Sequence, residues 1–241
     1  CKLAGIGLDD RDVPIGAARF LEKHNLDGNL FNAYIFGNYL MYARFPHNLI
    51  FIDGRVDMYG SQVLRQYDHV RGAGRQWEEV LQHYGIECCV LATEQRTEQD
   101  LIEALRAHPS WVLVYWDDNA AVYIRRDGKY RSVAETVYVY SVRPDDLDDE
   151  MLRTPAGFDR AAADYMHKLE EDPECARAMY GVAACLEARG QMDEALRLLR
   201  AAVQNKPHVP TLHYALGTAL LRAGKPREAL KIGRASCRER V

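Results

Sequence analysis

The sequence predicts two architectures in succession: an α/β layered domain with a mostly parallel sheet, followed by an all-α solenoid of helical hairpins. Two observations carry this. Between residues 13 and 143, strand-like runs rich in aromatic and β-branched residues alternate with helical patterns, as in layered α/β folds. Beyond residue 156 the chain becomes rich in Ala, Leu and Arg and repeats itself with a period of 34 residues.

Taken in order, VPIGAARFLEKHNL puts Ile15, Ala18, Phe20 and Leu21 on one helical face, with Pro14 suited to a first turn. A strand is expected at 29–34, a helix at 37–45 and a strand at 48–53. Helices follow at 60–70 and 75–84, separated by the loop Arg71-Gly72-Ala73-Gly74-Arg75, which trails a helix and so lacks the context of a phosphate cradle. IECCVLA (86–92) reads as a buried strand, and TEQDLIEALRAH (97–108) as a helix with Thr97 as N-cap. WVLVYWDDNAAVYIRR (111–126) breaks at Asp117-Asp118-Asn119 into a hairpin, an antiparallel edge to the sheet. ETVYVYSV (135–142) reads as one more strand. The acidic stretch 144–156 lacks the Gly and alternating spacing of a calcium loop and reads as a solvated linker.

Composition excludes several classes of function. The 241 residues carry a formal charge of −4, and no Lys/Arg-rich run precedes residue 232, so no nucleic-acid surface is expected. No stretch approaches the roughly 20 apolar residues of a membrane helix. Six cysteines show no CxxC pair and eight histidines no HExxH spacing, so neither a metal site nor a cofactor is expected. Ser61 and Ser110 have no nucleophile-elbow context. Residues 1–12 begin without Met or signal-peptide order and read as a lead-in cut from something longer. At the other end, IGRASCRERV (232–241) back-translates as ATC GGA AGA GCG TCG TGT AGG GAA AGA GTG. This resembles a sequencing-adapter oligonucleotide read in frame, so these ten residues are expected to be an artefact.

The repeat aligns Pro173 with Pro207, Gly190 with Gly224, Ala183 with Gly217 and Ala195 with Ala229. Small residues let two antiparallel helices touch, and Pro stops the second helix. This pattern, with Ala202 as a further small position, resembles the tetratricopeptide repeat (TPR). One complete repeat spans 176–209 within a region at 157–231. Residues 157–172, with Ala161 at the small position, read as the second helix of a degenerate repeat, and a third repeat starts at 210. The resemblance implies a groove for a protein partner.

The stretch LIFIDGRVDMYG (49–60) holds the densest chemistry. Ligands of open α/β sheets sit beyond the carboxyl ends of strands, where Asp53, Arg55 and Asp57 would lie. Asp53 could act as a base or metal ligand and Arg55 as an anion clamp. Alternatively Asp53-Gly54 is a plain turn and Arg55 pairs with a nearby acid. The wider segment GNLFNAYIFGNYLMYARFPHNLIFIDGRVDMYG is similar to the extracytoplasmic domain that closes many bacterial polytopic membrane proteins of glycosyltransferase (GT-C-like) type. The matching positions are Phe31, Asn32, Tyr34, Gly37, Tyr39, Leu40, Pro46, Phe51 to Arg55, Asp57 and Tyr59, within a likeness over about residues 10–126.

That resemblance implies a membrane-anchored parent, with this portion on the extracytoplasmic side and the catalytic acids on loops of a missing N-terminal membrane region. No catalytic residue is therefore expected here. Asn32, Tyr34, Asp53, Arg55 and Asp57 form the candidate ligand cleft. In the Trp-Trp-Asp-Tyr-Gly motif of oligosaccharyltransferases, aligned on Gly37, Ile35 takes the place of the Asp, so acceptor binding of that kind is not implied. The expected function is a non-catalytic portion of a glycosyltransferase-like protein with TPRs for a partner. A stand-alone TPR scaffold is the alternative, and a small-molecule enzyme using Asp53, Arg55 and Asp57 a third.

Overall fold

A computed structural model describes residues 13–93, 96–144 and 154–238. The lead-in at 1–12 and most of the acidic linker, 145–153, lie outside the described residues. The chain forms two compact units, one ending at Tyr140 and the other starting at Ser141.

The first unit is a five-stranded sheet with helices. Its elements are α1 (Ile15–Lys23), β1 (Gly28–Asn32), α2 (Gly37–Arg44), β2 (Asn48–Ile50), α3 (Ser61–Arg71), α4 (Trp77–His83), β3 (Cys88–Ala92), α5 (Gln99–Ala107), β4 (Trp111–Trp116), β5 (Ala120–Arg125) and α6 (Arg131–Thr136). The strand order is β2-β1-β3-β5-β4. β1 pairs in parallel with β2 and β3, whereas β5 runs antiparallel to both β3 and β4.

The sheet is thus mixed, which corrects the expectation of a mostly parallel one. The cause is local. The Asp117 carboxylate accepts from the amides of Asn119 and Ala120, both at 2.8 Å, and closes a tight turn after β4. A turn this short can only return the strand antiparallel. β5 then takes an interior place beside β3, so the hairpin supplies two of the five strands and not merely an edge.

Three further expectations change. The strand expected at 135–142 is absent: α6 covers its start, and Tyr140 alone bridges to Leu113. Val133 and Ala134 reach the core on a helical face, which overrides the aromatic alternation. The strand expected at 48–53 pairs only over Asn48–Ile50, at the sheet edge, and leaves Leu49 54% exposed. Beyond it the Asn32 side chain substitutes for a neighbouring strand. Its Oδ1 accepts from the Phe51 amide at 3.0 Å and its Nδ2 donates to the Ile52 carbonyl at 2.8 Å. Lastly, Glu98 and not Thr97 precedes the first turn of α5, and the Thr97 hydroxyl donates to the Glu98 carboxylate at 2.8 Å.

Both sheet faces are covered. On one side Leu21, Leu30, Phe36, Leu40, Val90 and Val122 form the main apolar cluster. On the other, Phe31, Phe51, Tyr67 and Tyr84 pack as aromatic neighbours, with ring centroids 4.9 Å apart for Phe51 and Tyr84 and 5.2 Å apart for Phe31 and Tyr67. β3 is buried along its whole length, and burial pushes the Cys88 thiol up to about 12.

The second unit is helical: α7 (Pro155–Glu171), α8 (Ala176–Ala188), α9 (Met192–Asn205), α10 (Pro210–Arg222) and α11 (Pro226–Arg238). The 34-residue period reappears in the backbone. After α8, Gly190 takes φ +78° and the Gln191 amide donates to Leu186; after α10, Gly224 takes φ +70° and the Lys225 amide donates to Leu220. Both are left-handed helix ends, a conformation that glycine adopts without steric penalty. Inside the hairpins Ala183, Ala195, Leu196 and Leu199 pack with Ala215, Leu216, Ala219 and Leu220. Asp164 of α7 accepts from the amides of Ser141 and Val142, and the Arg177 guanidinium of α8 donates to the Pro144 carbonyl at 2.7 Å. Residues 141–144 are therefore held by this unit. α11 runs through 232–238, part of the stretch read as adapter, and Ile232 packs against the hairpin cluster.

Candidate functional site

Asp53 lies just past β2, beside the carboxyl end of β1, and is fully buried. Arg55 reaches back to it: Nε stands 3.0 Å from each carboxylate oxygen, and the Arg55 amide donates to Oδ1 at 2.8 Å. Nη2 makes the ion pair at 2.5 Å. Arg55 thus reaches both carboxylate oxygens, and the Tyr59 hydroxyl adds a further hydrogen bond. The Arg55 guanidinium holds the Asp53 carboxyl below the usual carboxylate range. Burial, reinforced by the Asp53 charge, raises the Tyr59 hydroxyl.

The corner is fixed from below by α2. Gly37 packs so closely on the Ile52 carbonyl and the Asp53 Cα that a methyl group has no room. The Asn38 side-chain Oδ1 accepts from the Gly54 amide at 3.1 Å. Of the five residues proposed for a cleft, Asn32, Asp53 and Arg55 come together through the backbone of 51–53. Tyr34 is 41% exposed, and its amide donates to the Tyr67 hydroxyl at 2.9 Å. Asp57 is exposed in the short turn Val56–Met58. The Arg55 amide and guanidinium together aim donors at both carboxylate oxygens, as in a structural ion pair. Chemically, the arrangement can brace the corner.

Sequence reasoning missed Glu98 and Tyr67, which lie near the carboxyl ends of β1 and β3. Glu98 is 2% exposed, and burial raises its carboxyl above the usual range. Burial, then the Glu98 charge, raises the Tyr67 hydroxyl. No periodicity marks either residue, because their burial depends on α3 and α5 packing together. At the other end of the hairpin, Arg125 bridges Asp127 and Glu78, Ser110 donates to Asp127 at 2.7 Å, and His108 stands 3.2 Å from Glu78. Trp111, Trp116 and Tyr123 are at most 4% exposed and pack within the hairpin, with Tyr115 half-buried beside them.

In the helical unit Ala183, Ala195 and Ala202 are fully buried, and Ala161 nearly so. Pro173 and Pro207 lie exposed in the turns after α7 and α9. Ala229 packs against the hairpin cluster, but a Cβ on Gly217 would meet open space. That space is a groove of about 660 Å³ between α10 and α11, walled by Tyr214, Gly217, Leu221, Ala229 and Leu230. Tyr214 is 75% exposed, Leu221 58% and Leu230 59%.

Among the described residues no helix is long and apolar enough to cross a membrane. No curated protein matches the chain. Among solved structures, an Arg-to-Glu mutant of MamA is 21% identical over 34% of this chain and 59% of its own length, with a TM-score of 0.31. An Asp-to-Lys mutant of MamA gives 22%, 33%, 43% and 0.30 in the same order, and a MamA AMB-1 structure gives 19%, 45%, 58% and 0.31. The chain spans less than three fifths of the length of these proteins. The tetratricopeptide repeat family matches residues 156–210, where α7, α8 and α9 lie. This segment is TPR-like, an architecture suited to holding a protein partner.

Proposed function

We propose that the chain is a non-catalytic portion of a membrane-anchored, glycosyltransferase-like protein, in which the α/β unit is a support and the repeats hold a protein partner. The chelated Asp53–Arg55 pair carries the non-catalytic part, since its carboxylate is satisfied without a ligand. The motif from Phe31 to Tyr59 carries the link to the glycosyltransferase-like proteins. The repeat match carries the partner. On this reading the α/β unit stands on the extracytoplasmic side, with acidic residues 144–156 joining it to the repeats. The boundary at 232 is part of the same proposal: the 34-residue register brings Gly233 and Ser236 to the places of the buried Leu199 and Ala202.

Recovering the gene from its source DNA tests this reading. Upstream sequence should encode several apolar helices of about 20 residues each, and sequence after Leu230 should continue an amphipathic second helix. An upstream region with no such helices would overturn the membrane link and favour a stand-alone repeat scaffold.

A further inference from the structure

We infer that the crevice at the carboxyl ends of β1 and β3 binds a neutral, hydroxyl-bearing small molecule such as a sugar, held between Tyr67 and Glu98. This gives the α/β unit a binding role beyond support. Topology makes the place. β2, β1 and β3 run parallel in that spatial order. The chain leaves β1 for α2, on the face where Phe36 and Leu40 join the main apolar cluster. It leaves β3 for α5, which packs against α3 on the face where Tyr67 stacks on Phe31. Neighbouring strands whose connections part to opposite faces open a crevice beyond their carboxyl ends, where ligands of open α/β sheets bind.

Two buried groups at this end have unspent hydrogen-bonding capacity. Tyr67 is 6% exposed, and its hydroxyl accepts from the Tyr34 amide at 2.9 Å. Glu98 is equally buried, and its Oε2 accepts from the Thr97 hydroxyl at 2.8 Å. Among the described residues the Tyr67 hydroxyl donates to no acceptor, and Glu98 Oε1 accepts from no donor. The two side chains are close enough for the Glu98 charge to act on Tyr67, yet they share no hydrogen bond. Buried polar groups left half-satisfied are costly. A hydroxyl set between them would accept from the phenol and donate to the acid, satisfying both. Charge favours a neutral ligand. Arg71, 5.9 Å over the Tyr67 ring, is committed to Asp68 at 2.9 Å, and burial holds Glu98 toward its uncharged form. Tyr34, partly exposed, stands at the rim with its amide on Tyr67.

Methyl β-D-glucoside, with inorganic phosphate and choline as charged controls, tests this on the whole chain. Saturation-transfer NMR should show the glucoside binding to the parent protein. Tyr67→Phe, which deletes the donor and keeps the ring, should weaken binding about tenfold, and Glu98→Leu should do the same. Glu98→Gln keeps a donor and an acceptor and should retain the affinity. Circular dichroism checks that each variant is folded; Glu98→Leu leaves the contact between Tyr67 and Tyr34 in place should Tyr67→Phe unfold. No transfer to the glucoside would mean that an ordered water only fills the gap, and would overturn the proposal. Equal affinity in the parent, Tyr67→Phe and Glu98→Leu would put the binding elsewhere and overturn the site. Stabilisation of the tryptophan-monitored α/β melt by phosphate or choline, but not by the glucoside, would give the crevice to a charged ligand and overturn the class.

Discussion

Arg55 folds back onto Asp53, two residues upstream, and its Nε lies 3.0 Å from both carboxylate oxygens. The carboxylate is fully buried, and its charge is compensated first by this guanidinium and then by the Arg55 amide and the Tyr59 hydroxyl. Because Arg55 itself is half exposed, the pair closes the corner from the solvent side. The result is a rigid exit from β2, with no open acid.

Gly37 supports that corner, and the account predicts that Gly37→Ala is damaging. By helix propensity alone the change would stabilise α2, by about 1 kcal/mol. The added methyl meets the Ile52 carbonyl and the Asp53 Cα, which are backbone and cannot rotate away. A net loss of about 1–3 kcal/mol is expected in urea unfolding. A gain in stability would show that α2 sits farther from the corner.

Glu98 should make stability fall as pH rises. Its carboxyl is raised by burial in the folded protein, so the folded state holds the proton more tightly than the unfolded chain does. The stabilising contribution is complete below the unfolded carboxyl pKa, about 4.3, and is lost as pH climbs through the folded value. Glu98→Gln should therefore raise the melting temperature at pH 7, with the gain shrinking under acid. An equal shift at both pH values would refute this.

The small positions of the two hairpins should respond in opposite ways. Ala195 is fully buried at the helix crossing, and Ala195→Leu should cost about 1–3 kcal/mol. Gly217 faces open space, so Gly217→Ala should gain about 0.5–1 kcal/mol from helix propensity. Thermal melts followed at 222 nm report both. Loss of stability in the glycine variant would mean that its face is covered.

Much of the helical unit was legible because each repeat writes the same steric requirement twice, as with Gly190 and Gly224 at left-handed helix ends. The sheet was less legible. Nothing local says that β5 inserts beside β3, since strand order depends on contacts between distant segments. Alternation at 135–142 suggested a strand, but the pattern of a short amphipathic helix overlaps with it, and core contacts chose the helix. At the site, the link between Asp53 and Arg55 could be read as one of two outcomes, because the residues are two apart. The role of Asn32 could not, because it binds the backbone of residues about 20 positions away.

The most direct test of the supporting role of the corner is unfolding of the Arg55→Ala protein as a function of pH. Trp77, Trp111 and Trp116 all belong to the α/β unit, so tryptophan fluorescence reports that unit alone. Asp53 is held below the ordinary carboxylate range, so its contribution is present above about pH 3.9 and is lost as pH falls through the folded value. The account predicts that Arg55→Ala lowers the α/β midpoint at pH 7, and that the gap to the parent protein closes in acid as Asp53 is protonated. An unchanged midpoint at pH 7 would contradict it and take the supporting role away from Arg55.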